Sequence, residues 1–248
     1  MKNLKIFAKG FNYSQDGPGN RLVYHLCGCN MRCPWCSNPE GMDFSRDGND
    51  VKTVSVKDVY DEIVSCEPMF FDGGGVTFTG GEATLQFDAL FDILKMLKEE
   101  NISCAIETNA THPNLPKLFP YLDLLIADLK HPDSEKLSEV TGVGGNNIYK
   151  NLSLAANSGM NMNIRIPVIH GFNDSEKDID SFVSFFKKLE QDNRNVLNVE
   201  LLPYHEYGKE KWSNLGLEYK VKNGFVSGER IKEFENKLKH IGINILHT

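Results

Sequence analysis

The sequence predicts one α/β domain built as an open, partial (βα)6 barrel, with parallel strands inside and helices outside. Three observations carry this. Six apolar runs of strand length alternate with helical patterns, the order that a parallel sheet with crossover helices requires. Six units are too few to close an eight-stranded barrel, so the sheet is left splayed. The unusual polar sequences all sit at or near the ends of these runs, where parallel α/β folds gather their chemistry.

The strands predicted are Arg21–Leu26, Gly75–Thr79, Ile102–Glu107, Leu122–Asp128, Met162–Val168 and Val196–Leu202. Between them run helical stripes. Val56, Val59, Tyr60 and Ile63 repeat at i, i+3, i+4 and i+7 behind Ser55 as N-cap, and Phe87, Leu90, Phe91, Leu94 and Leu97 follow the same rule. Leu152, Ala155 and Ala156 mark a third helix, and Ile179, Phe182, Val183, Phe186 and Leu189 a fourth. Ile231, Phe234, Leu238 and Ile241 supply a last one before a terminal apolar piece, Ile243–Leu246. No linker, repeat or charge block divides residues 1–248, so a single domain is expected.

Composition narrows the class. With 40% hydrophobic and 25% charged residues the chain is ordinary globular protein, not a disordered tail or a disulfide miniprotein. Lys and Arg total 27 against 34 Asp and Glu, a net charge of −7, which lacks the basic footprint of a nucleic-acid binder. No run approaches the 18 or so apolar residues of a membrane span, and the amino terminus has no apolar stretch of signal-peptide length. A cytoplasmic protein is expected, with neither nucleic acid nor membrane as partner.

Four of the six cysteines, Cys27, Cys29, Cys33 and Cys36, fall within ten residues. In a reducing compartment such clustering points to metal or redox chemistry rather than disulfides. Cys29, Cys33 and Cys36 spell C-x3-C-x2-C and present three thiolates from one loop. A structural zinc wants four ligands, whereas an iron–sulfur cubane with one iron unligated by protein can bind a small molecule there. If Cys27 is a fourth ligand the loop is a zinc knuckle; otherwise Cys27 ends the first strand. Cys66 and Cys104 read as small buried hydrophobes.

Six segments then converge by topology: the cysteines after the first strand, Gly80-Gly81-Glu82 after the second, and Glu107-Thr108-Asn109 at the end of the third. Asp128-Leu129-Lys130 ends the fourth, Arg165 lies within the fifth, and Pro203-Tyr204-His205 follows the sixth. Glycines at 80 and 81 allow close backbone approach to a ligand.

With these residues in view, the chain resembles the radical S-adenosylmethionine (SAM) enzymes, and within them the activating enzymes of glycyl radical enzymes. The likeness runs nearly end to end. It rests on Asp16-Gly17-Pro18-Gly19-Asn20-Arg21, the C-x3-C-x2-C loop, Thr79-Gly80-Gly81-Glu82-Ala83, Asp128-Leu129-Lys130-His131, and the run from Leu202 to Trp212.

The resemblance implies a [4Fe-4S] cluster on Cys29, Cys33 and Cys36, with SAM on its fourth iron, and reductive SAM cleavage to a 5′-deoxyadenosyl radical. That radical would take a hydrogen from the α-carbon of a glycine in a partner, pyruvate formate-lyase or a relative. Lys130 and His205 would act with the cluster cysteines. Trp35, Ser37, Asn38, Gly80, Gly81, Glu82, Asp128, Leu129 and Arg165 would bind cofactor. Glu107, Thr108, Asp128 and the Ile126 carbonyl would hold sodium or potassium. Asp16 and Arg21 would meet the partner loop at the barrel mouth, opposite the His205–Trp212 segment. A flavodoxin or ferredoxin would supply electrons to a monomer.

Against the pyruvate formate-lyase branch, Glu107 replaces Asp, Ala110 Gly, Ser37 His and Ile126 Met. Ser37–Lys52 contains no cysteine, so no auxiliary cluster fits there. Other readings are a radical SAM enzyme for a small molecule, of the deazapurine synthase kind, and a non-catalytic zinc module.

Overall fold

The computed structural model describes residues 2–46, 48, 50–192 and 197–247. One nine-stranded sheet forms the frame: β1 (Asn3–Tyr13), β2 (Asn20–Leu26), β3 (Lys52–Ser55), β4 (Gly75–Gly80), β5 (Cys104–Thr108), β6 (Leu124–Asp128), β7 (Met162–Val168), β8 (Leu197–Pro203) and β9 (Asn244–Leu246). Its order is β3-β1-β2-β4-β5-β6-β7-β8-β9. All neighbours from β2 to β9 are parallel, while β1 runs antiparallel to both β2 and β3.

The six predicted strands are present as β2 and β4 to β8, with Met162–Val168 as expected and the ends of the others displaced by at most two residues; Val196 lies outside the described residues. The terminal apolar piece forms β9. The sequence reading omitted β1 and β3. β1 buries only Leu4, Ile6 and Phe7 and then runs exposed, so it carries no clean alternation.

Helices cover the outer face: α1 (Val56–Ser65), α2 (Phe87–Glu99), α3 (Ser134–Thr141), α4 (Asn146–Ser158), α5 (Glu176–Asp192), α6 (Lys209–Asn214) and α7 (Gly228–His240). Ser55 caps α1 as expected, its hydroxyl accepting from the Asp58 N–H. Asp133 and Ser227 do the same for α3 and α7, and left-handed Gly142 and Gly159 close α3 and α4. The short α3 and α6 were not anticipated. Tyr24, Phe78, Ile93, Leu97, Phe182, Phe186 and Phe234 fill the layer between sheet and helices. Cys104 is fully buried there, but Cys66, expected to be buried, is only half-buried at the end of α1. No helix among the described residues is long and apolar enough to cross a membrane.

Side chains alternate across each strand, so one parity faces the helices and the other the barrel lumen. The lumen is polar. Arg165 on β7 donates to Glu107 on β5 at 2.6 Å and to Glu200 on β8 at 2.9 Å. The Thr79 hydroxyl donates to the other Glu107 oxygen at 2.7 Å.

The Asp16–Arg21 segment takes a different place from the one expected. Arg21 pairs with Gly75 at the amino end of the parallel strands, opposite the cysteine loop. Its guanidinium is 1% exposed and donates to the Thr77 hydroxyl at 2.7 Å and to the Val76 and Ser103 carbonyls at 2.7 and 3.1 Å. The Asp16 carbonyl accepts from Thr77 and that of Gln15 from Arg165. The segment is a plug under the barrel, and an arginine with its donors so enclosed does not present a surface to a partner.

Candidate active site

The cleft opens at the carboxyl ends of the strands. The chain leaves β2 at Leu26 and forms a loop whose backbone is tied on several sides. Gly28 and Cys29 donate to the carbonyls of Gly41 and Met42, Arg32 donates to Thr141, and the Gly81 and Glu82 N–H groups donate to Leu26 and Gly28. Asn109 reaches in from the end of β5 and donates to the Asn30 side chain at 2.9 Å.

Gly80 and Gly81 are glycines for a reason other than ligand approach. A Cβ on Gly81 would lie 2.3 Å from the carbonyl oxygens of both Gly28 and Gly41, and one on Gly80 would lie 2.3 Å from the Leu26 nitrogen. The pair lets this turn press against the cysteine loop, while its backbone still borders the cleft.

Thirteen of the expected residues border that one cleft: Cys29, Cys33, Trp35, Cys36, Ser37, Asn38, Gly80, Gly81, Glu107, Thr108, Asp128, Lys130 and His205. Burial pushes each of the three thiols up to about 11, so without metal they stay protonated and binding a thiophilic centre displaces protons. Lys130 stands beside them, 7% exposed and 2.7 Å from Asp128. Burial opposes its charge, but the charge and hydrogen bond of Asp128 outweigh it and raise its pKa. A fixed cation there faces three future thiolates.

Trp35 packs on Phe172 with ring centroids 4.9 Å apart. His205 stacks on Tyr207 at 4.2 Å, and its Nδ1 accepts the Tyr207 N–H at 3.3 Å. Burial lowers the His205 pKa, so the ring is neutral at pH 7 with its proton on Nε2.

Cys27 does not join the other three. It is fully buried away from the cleft, its N–H donating to Lys5 and its carbonyl accepting from Gln86 at 3.0 Å. Among the described residues no three His, Cys, Asp or Glu side chains gather as a single ion needs. With Cys27 elsewhere, three thiols border the cleft, one short of a closed zinc site, and a three-thiolate cubane suits that donor set.

Several expected contacts lie elsewhere. Glu82 is 1% exposed on the far side of the turn, where its carboxylate accepts from the Thr84 and Asn109 N–H groups and the Thr84 and Thr108 hydroxyls. Burial raises its pKa against those bonds, so it is a fastener between loops rather than a wall of the cleft. Leu129 and Ile126 are buried in full. Arg165 sits within the lumen network. Asp16 lies near Glu107 and Arg165, and burial with the Glu107 charge raises its pKa. The Thr108 hydroxyl donates to Glu82 and accepts from the Ala110 N–H, which leaves it one acceptor lone pair at the edge of the cleft.

Met31, Pro167 and Ile169, which the sequence did not single out, also border the cleft, as do Thr79, Asn109 and Tyr204, which it named in motifs or converging segments without giving them a role. Thr79 was detectable, because period two along β4 puts it on the lumen face just before the glycines. Ile169 offers no signal beyond its position after β7.

Comparison with known proteins agrees with this geometry. Residues 23–183 match the Radical SAM superfamily. The chain is 34% identical over 230 residues to the pyruvate formate-lyase-activating enzyme of Clostridium pasteurianum, covering 91% of this chain and 93% of that protein. It is 31% identical over 291 aligned positions to the 4-hydroxyphenylacetate decarboxylase activating enzyme of Clostridioides difficile (strain CD196), covering 92% and 90%. A crystal structure of a domain of pyruvate-formate lyase-activating enzyme from Bacteroides vulgatus superposes with a TM-score of 0.58 at 29% identity, covering 70% of this chain and 98% of that one. Three thiols on one cleft at the strand ends, and this likeness along nine-tenths of the chain, lead to one conclusion: the chain belongs to the radical SAM superfamily and, within it, to the activating enzymes of glycyl radical enzymes.

Proposed function

We propose that this chain cleaves SAM reductively and removes an α-hydrogen from one glycine of a partner enzyme, pyruvate formate-lyase or a relative. The observation that carries it is the meeting of Cys29, Cys33 and Cys36 with Asp128, Lys130 and His205 on one cleft. When bound through those three cysteines, a [4Fe-4S] cluster supplies the electron that cleaves SAM to methionine and a 5′-deoxyadenosyl radical.

The chain's own residues bind and orient. The ammonium of Lys130 answers a carboxylate, and Asp128 holds that ammonium in place. Neutral His205 offers an N–H to an adenine acceptor, Trp35 and Ile169 close the apolar side, and backbone at Gly80 and Gly81 accommodates the amino-acid end. The lumen below is filled by Arg165, Glu107 and Glu200, so a glycine loop enters from the strand ends, and the enclosed cleft keeps water from a reactive radical. A sodium or potassium ion beside SAM would rest on Glu107, Thr108, Asp128 and the Ile126 carbonyl. A flavodoxin or ferredoxin is the proposed donor and a monomer the working form.

The short, cysteine-free stretch Ser37–Lys52 after the cluster loop favours the pyruvate formate-lyase branch. The alignment to the decarboxylase activator spans 291 positions at 92% coverage of this chain, as an insertion in that protein requires, against 230 for the Clostridium pasteurianum pyruvate formate-lyase activator. The test is anaerobic incubation with SAM, dithionite and pyruvate formate-lyase. Deoxyadenosine together with a doublet electron paramagnetic resonance signal on the partner is expected. Deoxyadenosine with a small molecule, and none of the signal on any glycyl radical enzyme, would support the small-molecule reading instead.

A further inference from the structure

Two residues after His205 the chain turns back to the cysteine loop and grips its last part in three ways. The Trp212 indole, 9% exposed, donates to the Cys36 carbonyl at 2.9 Å. The Lys211 ammonium donates to Asn38 Oδ1 at 2.9 Å and to Glu40 Oε1 at 2.6 Å. Gly208 lies so close that a Cβ would fall 2.6 Å from the Cys36 oxygen and 2.7 Å from the Ser37 Cα. Packing alone does not require this: α6 has six residues and buries only Trp212. The gripped stretch, by contrast, has little of its own. The Cys36 N–H donates to the Cys33 carbonyl and the Gly41 N–H to the Asn38 carbonyl, while the Asn38 side chain does not cap the turn that follows it.

We propose that Gly208, Lys211 and Trp212 form a strap that positions the third cluster thiolate together with Ser37 and Asn38, and thereby sets how SAM lies against the cluster. All three are positioning residues, and the proposal rests on the cluster reading above. A lysine can only donate, so Lys211 holds the Asn38 carboxamide by its oxygen and leaves the NH2 end for the cleft. The indole fixes the peptide plane leaving Cys36. Because His205 and the strap belong to one short segment, the two sides of the cleft, histidine and third thiolate, are set by the same piece of chain.

The test uses reconstituted protein. Trp212→Phe keeps an aromatic ring against Tyr219, whose centroid is 5.8 Å away, and removes only the N–H donor. A second variant, Glu40→Gln with Lys211→Met, cuts the Asn38 tie without stranding the Glu40 carboxylate, one of whose oxygens is already buried without a partner among the described residues. Both are expected to melt near wild type, to bind SAM about fivefold more weakly, as loss of one hydrogen bond implies, and to show a broadened SAM-induced change in the resonance spectrum of the reduced cluster. A folded variant that fails to retain iron also supports positioning of Cys36. Wild-type SAM affinity with an unchanged spectrum in both variants overturns the strap. Failure of the wild-type protein itself to take up iron overturns the cluster reading instead.

Discussion

Cys27 and Cys29 stand two positions apart, and their surroundings give them different roles. Cys27 has its backbone tied to Lys5 and Gln86 in the sheet, whereas Cys29 opens onto the cleft. Replacing Cys29, Cys33 or Cys36 by Ala should each abolish the reconstituted cluster, while Cys27→Ala, Cys66→Ala and Cys104→Ala should retain about four irons per chain by iron analysis. The C-x3-C-x2-C spacing made the three ligands legible. The glycine pair was legible as a position but not in its reason, which is the carbonyls of Gly28 and Gly41 behind it. Gly81→Ala should therefore strain the cysteine loop, costing about 1–3 kcal/mol of stability and lowering iron uptake as well as SAM affinity. Thermal melts with iron analysis check this; a fully loaded, stable protein that is weak only in SAM binding would return Gly81 to ligand approach alone. Glu82 and Thr108 show what residue type cannot tell. Polar side chains at strand ends divide between the two faces by parity, and a one-residue difference in the strand end decides which face each takes.

At the scale of elements, the parallel strands were readable because each carries an apolar parity facing the helices, as Met162, Ile164, Ile166 and Val168 do on β7. β1 and β3 were not: β1 has one short buried patch, and β3 is a four-residue edge strand with no buried residue. The D-G-P-G-x-R segment was recognised but misplaced, since a motif gives no sign of which end of a barrel it closes. Its role as a plug makes a distinct prediction. Arg21→Met removes the guanidinium donors to the Thr77 hydroxyl and the Val76 carbonyl, and one of the two donors to the Ser103 carbonyl, which keeps the Val76 N–H; it should cost about 3 kcal/mol, roughly 6 to 12 °C in melting temperature for a domain of this size, with SAM affinity of the folded protein unchanged. Normal stability with a selective loss of partner activation would restore Arg21 to the partner surface.

Behind the cleft, Asp178 at the start of α5 accepts from Lys136 at 2.6 Å, from Ser175, and pairs with buried His131 at 3.1 Å. Burial raises its pKa, but those three partners outweigh it and bring it below 3.8. A depressed carboxyl stabilises the fold fully above its unfolded pKa and loses that contribution as pH falls through its folded value. Asp178→Asn should therefore cost about 2 kcal/mol at pH 7, and the gap to wild type in denaturant melts should narrow only below about pH 4. A gap independent of pH would show the carboxylate charge to be idle.

Taken whole, the molecule is a sheet that carries its chemistry at one end and its plug at the other, with the Arg165, Glu107 and Glu200 network between. The barrel class and the direction in which the site faces were legible from six strand-end segments agreeing. The filling of the lumen was not, because Arg165 and Glu107 meet only through the register of β5, β6 and β7. That filling leaves the strand ends as the way in for a glycine loop, and only a glycine lets a backbone α-carbon come so close without a side chain intervening. The central claim is that the hydrogen removed is the partner's. Its most direct test is to deuterate the α-carbon of glycine in pyruvate formate-lyase, incubate it anaerobically with this protein, SAM and a reductant, and weigh the 5′-deoxyadenosine by mass spectrometry. One deuterium in the deoxyadenosine is the expected result; deoxyadenosine without deuterium from the partner, yet labelled by a deuterated small molecule, would contradict the account.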